Sequence, residues 1–149
     1  MTIEEFRQEL KNKRDYFYQF PWTTTTYGHW TAGRHFTTFN DYHFNVDGDG
    51  EIIYTRPLDE VPQATYHRNT GSIAIALCCC YNARPDDLGE YPPTAAQIET
   101  LAKMFAVIAE VFDNPIDREH FMTHGEAAND DGYGLYSGEP DCRWDLEQL

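Results

Sequence analysis

Long apolar runs are missing from this sequence: no stretch reaches the 18 or more residues that would span a bilayer. Basic residues are scarce, 11 Lys and Arg against 25 Asp and Glu, for a formal charge of −14. A field of that sign repels phosphate backbones and anionic lipid, so neither nucleic acid nor a membrane surface is an expected partner. The first residues, Met1-Thr2-Ile3-Glu4-Glu5, lack the basic start and apolar core of a signal peptide. The expectation is synthesis in the cytoplasm, with export, if any, by lysis or a non-classical route. Cysteine is confined to Cys78-Cys79-Cys80 and Cys142. Neighbours on a strand point to opposite faces and make neither a disulfide nor a CxxC metal knuckle, so the triplet reads as small buried hydrophobes.

What is present fits one soluble domain. The chain has 149 residues, 41% hydrophobic and 15% aromatic, enough to bury roughly 70% of its unfolded surface. Thr2 with Glu5 forms a capping box, and Ile3, Phe6 and Leu10 follow at helical spacing, so residues 2–17 read as a helix ended near Pro21. Thr23 to Trp30 reads as a strand. Residues 42–46 and 51–55 flank Asp47-Gly48-Asp49-Gly50, a hairpin signature. That turn lacks the acidic spacing and closing Glu of an EF-hand, which argues against calcium. Ser72 to Cys80 is apolar on both faces and reads as a central strand. A second capping box, Thr94 with Gln97, opens a helix to about Phe112 whose inner face carries Ile98, Leu101, Phe105, Ile108 and Phe112. Phe121-Met122-Thr123 reads as a short strand, and residues 125–149 as an irregular acidic tail. The fold class expected is α/β: one domain over 1–149, a mixed central β-sheet flanked by α-helices, with 1–21 as an N-terminal helix and linker packed on it.

Histidines mark the chemistry. His29 closes a strand before the small residues Thr31-Ala32-Gly33, and His124 stands where a short apolar segment ends. Ligands at strand ends around a shared cleft leave a catalytic metal one open position. His120 and His124 form His-x-x-x-His, but no Glu follows His120 and the segment between favours a strand, which would hold the two about 13 Å apart. His35 and His43 read as structural.

Four blocks occur in order: Gly28-His29-Trp30-Thr31-Ala32-Gly33; Asp41-Tyr42-His43-Phe44-Asn45-Val46-Asp47-Gly48-Asp49-Gly50; Asn69-Thr70-Gly71-Ser72-Ile73-Ala74-Ile75-Ala76-Leu77; and Thr123-His124-Gly125-Glu126 with Arg143-Trp144-Asp145-Leu146. Together they resemble the type 2 N-acetylmuramoyl-L-alanine amidases, which include phage lytic enzymes (endolysins), wall-recycling enzymes and peptidoglycan recognition proteins, over about residues 22–149. The resemblance implies a peptidoglycan substrate and a Zn2+ ion held by His29, His124 and Asp145. Cys142 and Asp141 are rivals for the third position. It implies Tyr42 as the residue that positions water or stabilises the intermediate. Arg143 would be an electrostatic stabiliser, since guanidinium does not release its proton. His67, Trp30 and Asn69 would line the substrate cleft. Wall-recycling members carry Glu in the central strand where this chain has Ala76, which brings it closer to the phage type. The expectation is an enzyme acting as a monomer on the cell wall. The alternative is a peptidoglycan-binding module without hydrolysis.

Overall fold

Each helix of the computed structural model, which describes residues 1–147, starts at a capping box. Helix α1 (Ile3–Tyr18) is capped by Thr2 and Glu5, α2 (Ala95–Phe112) by Thr94 and Gln97, and α3 (His124–Asp131) by Thr123 and Glu126. In each, the threonine hydroxyl accepts from the third backbone N–H while that residue's side chain accepts from the threonine N–H. One such cap stabilises a helix end by about 1 kcal/mol. The third box corrects the first part of the irregular tail expected over 125–149, which is helical to Asp131.

The strands are β1 (Thr26–Trp30), β2 (Phe44–Val46), β3 (Ile52–Tyr54), β4 (Ile73–Leu77) and β5 (Phe121–Thr123), in the spatial order β3-β2-β4-β1-β5. Only β2 and β3 run antiparallel; the other pairs are parallel. This is the expected mixed sheet in a single domain. β4 lies near its centre and is buried throughout, as its unbroken apolar run requires. In the β2–β3 turn the Asp47 carboxylate accepts from the N–H groups of Asp49 and Glu51 at 2.9 and 3.0 Å. Asp47 closes its own hairpin.

Helices α1 and α2 pack together against one face of the sheet. Phe6 meets Phe44 edge-on at 4.9 Å and Phe17 meets Phe112 at 5.5 Å, so α1 belongs to the main core. A Cβ on Gly28 would come within 3.5 Å of Phe105, so β1 turns Gly28 to α2 and, by alternation, Tyr27 and His29 to the other face. The inner stripe of α2 is broader than expected and differs at one expected position. Leu101, Ile108 and Phe112 are buried and Phe105 is half-buried, as expected, whereas Ile98 is exposed and Gln97, Met104, Val107 and Val111 are buried as well. Gln97 fills the first inward position because its amide donates to Val46 O and Cys78 O, at 3.1 and 2.9 Å, where β2 and β4 end.

The loop 56–72 covers the opposite face. His43 is fully buried beneath it, with Nε2 2.8 Å from Glu60 O and Nδ1 accepting from Ala74 N–H at 3.1 Å. It is structural, as expected. The Cys78–Cys80 triplet is likewise buried and free. Among the described residues no helix is long and apolar enough to cross a membrane.

Candidate metal centre

Register brings the two histidines together. β1 and β5 pair in parallel with Gly28 opposite Thr123, so the next residues along, His29 and His124, stand side by side. Their ring centroids are 4.9 Å apart. His29 completes the strand, whereas His124 opens α3, and the change from strand to helix turns its imidazole toward β1. His120 is elsewhere: its Nδ1 lies 2.6 Å from Asp117 Oδ1, so the His-x-x-x-His pairing does not form.

Asp145 reaches the pair through four anchors. Trp30 N–H donates to its Oδ2 at 3.3 Å, Gly125 N–H donates to its carbonyl at 3.1 Å, Trp144 packs edge-on against Trp30 at 4.7 Å, and Leu146 is buried in the core. Asp145 Oδ2 lies 3.5 Å from His124 Nδ1 and 3.8 Å from His29 Nδ1, and all three side chains are buried. One donor atom from each lies within 4.8 Å of the others. Nitrogen and oxygen ligands at about 2 Å in a tetrahedron are separated by about 3.4 Å, close to these spacings.

The hydrogen bonding also fits a cation. His29 Nδ1 is buried with no hydrogen-bond partner among the described residues, a costly state for a polar atom that stands near a carboxylate and another imidazole. Its pKa is lowered to about 3, by burial first and by His124 next, against the pull of Asp145. The imidazole is therefore neutral, the form that ligates. The outward nitrogens are held in place: His29 Nε2 lies 3.3 Å from Thr65 Oγ1, and His124 Nε2 lies 3.4 Å from Tyr133 Oη. Such contacts set which nitrogen carries the proton and leave Nδ1 free to bind metal. Neither Thr65 nor Tyr133 was among the residues expected from sequence.

The other expected residues take varied positions. The Tyr42 ring lies 5.1 Å from that of His29, and its hydroxyl donates to Trp30 O at 3.3 Å. Burial, then the carboxylates of Asp145 and Asp41, push its phenol well above the ordinary value, so Tyr42 keeps its proton and acts as a donor. Arg143 is exposed and walls two cavities, one of about 880 Å³ with His124, Tyr66 and Tyr133, the other of about 350 Å³ with Trp30 and Asp145. Trp30 is buried, and its backbone N–H serves Asp145. Asn69 Oδ1 accepts from Ala64 and Thr65 N–H, at 3.0 and 2.7 Å, and so fixes the loop that carries Thr65. His67 is exposed, with positive φ, and its ring lies tilted against that of Tyr66, centroids 3.9 Å apart. Cys142 and Asp141 border these cavities, and neither belongs to the three-residue cluster.

Comparison with known proteins places this geometry. The Ph2119 endolysin from Thermus scotoductus MAT2119 bacteriophage Ph2119 has a similar fold, with a TM-score of 0.53 at 18% identity over 68% of this chain and 71% of its own. The endolysine N-acetylmuramoyl-L-alanine amidase LysCS from Clostridium intestinale URNW matches with a TM-score of 0.53 at 18% identity, over 73% of this chain and 72% of its own. No curated protein sequence matches the chain significantly. The profile of the N-acetylmuramoyl-L-alanine amidases matches residues 12–134, most of the chain and both strands that lead to the histidines. On that match the chain belongs to the N-acetylmuramoyl-L-alanine amidase family of peptidoglycan amidases.

Proposed function

We propose that the chain is a zinc-dependent amidase that hydrolyses the bond between N-acetylmuramic acid and L-alanine in peptidoglycan. The whole of residues 1–149, α1 included, would form one catalytic domain. The observation that supports this reading is the convergence of His29, His124 and Asp145, with His29 Nδ1 buried and unpartnered, in a chain of an amidase family. These three residues would hold the ion. Zinc bound there supplies Lewis acidity to the scissile carbonyl and to a water whose pKa falls to about 7.

The chain's own groups account for the rest. Thr65 and Tyr133 hold the imidazoles so that Nδ1 faces the ion. Tyr42 carries its proton at neutral pH and, with its hydroxyl turned from Trp30 O, would offer a donor beside His29, suited to a developing oxyanion. Arg143, on the wall of both cavities, adds positive charge without proton transfer. Trp30 and Asn69 support this site through Asp145 and the Thr65 loop, and the exposed His67 lies where the substrate would run. The −14 charge and two endolysin neighbours in fold suit a monomeric enzyme meeting the wall after lysis or non-classical export.

Metal analysis of the purified protein tests this. One zinc per chain is expected in the wild type and in Cys142→Ala, and a loss of at least tenfold in affinity in His29→Ala and Asp145→Ala. Equal loss in Cys142→Ala and Asp145→Ala would move the third ligand. Zinc with sacculus binding but no cleavage would make the chain a recognition module.

A further inference from the structure

A second cavity of about 580 Å³ lies along the same face of the sheet, beyond the metal centre. Trp22, Thr25, Arg68, Thr70 and Ser72 are among its walls. Thr25 is four residues before His29, so the cavity sits about 13 Å from the metal ligands at the rise of an extended chain. It is joined to the cleft. His67 and Arg68 wall it and also a smaller cavity with Tyr66, Asp131 and Tyr133, and those three in turn wall the cleft that holds His124.

Its floor is aromatic. Trp22 is 50% exposed and lies on Phe20 with ring centroids 5.0 Å apart and planes 17° apart, a flat platform with a buttressed back. Gly71, at φ +72°, passes so close that a Cβ would stand 2.8 Å from Phe20 and 3.0 Å from Trp22 Nε1, so only glycine leaves the platform in place. Its rim is hydroxylated, and the arginine on it is already paired. Arg68 is bound through Nε and Nη2 to Asp131 at 2.7 Å each, and its Nη1 donates to Tyr27 Oη at 3.2 Å. Thr25 and Ser72 donate their hydroxyl protons to Glu119 O and Asn69 O, which leaves oxygen lone pairs as acceptors. An anionic ligand would find Arg68 already bound to Asp131, whereas a neutral polyhydroxylated ring would find a flat apolar face and acceptors at its edge.

We propose that this cavity is a saccharide subsite in which Trp22 stacks on a sugar ring of the glycan strand two or three units from the one being cut free of its peptide. The inference rests on the amidase reading for its polymer but not for its test. Chitotetraose, a neutral oligomer of N-acetylglucosamine, is titrated into the zinc-loaded full chain and followed by the indole N–H resonances. The Trp22 signal is expected to shift while those of Trp30 and Trp144 stay. Trp22→Ala should weaken binding by about tenfold, and Trp22→Phe, which keeps a stacking face, by about threefold or less. With sacculi, Trp22→Ala should raise KM by about tenfold at unchanged kcat, and leave cleavage of a muramyl dipeptide, too short to reach Trp22, within about twofold. A Trp22 shift with a stem tetrapeptide and none with chitotetraose would overturn the proposal, as would no shift with either. Loss of all cleavage in the wild type would sink the amidase reading and leave the titration to decide the subsite.

Discussion

Thr65 Oγ1 stands 3.3 Å from His29 Nε2, and its loop has no sequence motif to announce it. Replacing it with valine keeps the shape and removes the acceptor. Thr65→Val is expected to weaken zinc binding by about tenfold or more, with Thr65→Ser restoring it, measured by competition with a chromogenic chelator. His43 offers a second test. Its pKa is lowered from 6.5 to about 4, chiefly by burial, and a proton on Nδ1 would also set a donor against Ala74 N–H. The unfolded chain takes up that proton near pH 6.5 and the folded one only near 4. The stabilisation is therefore complete above pH 6.5 and lost as pH falls toward 4, by about 3 kcal/mol. In chelator-treated protein, denaturant midpoints from pH 7.5 to 4 should fall less steeply for His43→Gln, whose amide can both donate and accept. Parallel pH profiles would refute the assignment. His29, His124 and Asp145 were legible because each sits in a short block with its own pattern. Thr65 and Tyr133 were not, because a hydroxyl contact between residues 36 or 9 positions apart leaves no periodic trace.

At the scale of elements, the segment after Thr123 holds the lesson. Thr123-His124-Gly125-Glu126 is a capping box as clear as those of α1 and α2, yet the acidic, glycine-containing stretch beyond it reads as a tail. The helix is only eight residues long, and its buried face is His124 with the small residues Gly125, Ala127 and Ala128, too short a stripe to show a period. Gly125 has a role that pattern cannot reveal. A Cβ there would lie 2.9 Å from Asp145 O and 3.2 Å from Trp144 C, so the helix and the ligand-bearing segment touch through their backbones. Gly125→Ala favours the helix by about 1 kcal/mol in isolation, yet must push Asp145 away from the histidines. Zinc affinity should fall by about tenfold while helical circular dichroism is kept. Unchanged affinity would show that the segment yields without moving its carboxylate. The hairpin and the central strand, by contrast, followed directly from Asp-Gly turn chemistry and an unbroken apolar run.

Across the whole molecule, the sheet converts four distant blocks into one site. Residues 29, 124 and 145 are far apart in the chain; parallel pairing of β1 with β5 sets His29 beside His124, and Asp145 joins them through its contacts with Trp30 and Gly125. Long-range parallel pairing cannot be read from local pattern. The order of the blocks, through the resemblance they carry, conveyed the fold where periodicity alone did not. The family match ends at residue 134, short of Asp145, so the proposed third ligand rests on this chain's own packing. The central claim is hydrolysis of one particular amide by a bound zinc. Purified sacculi incubated with the zinc-loaded protein should release peptides with a free N-terminal L-alanine and no new reducing sugar ends, and a chelator should stop the release. Reducing ends without that amine, or release unaffected by the chelator, would contradict it.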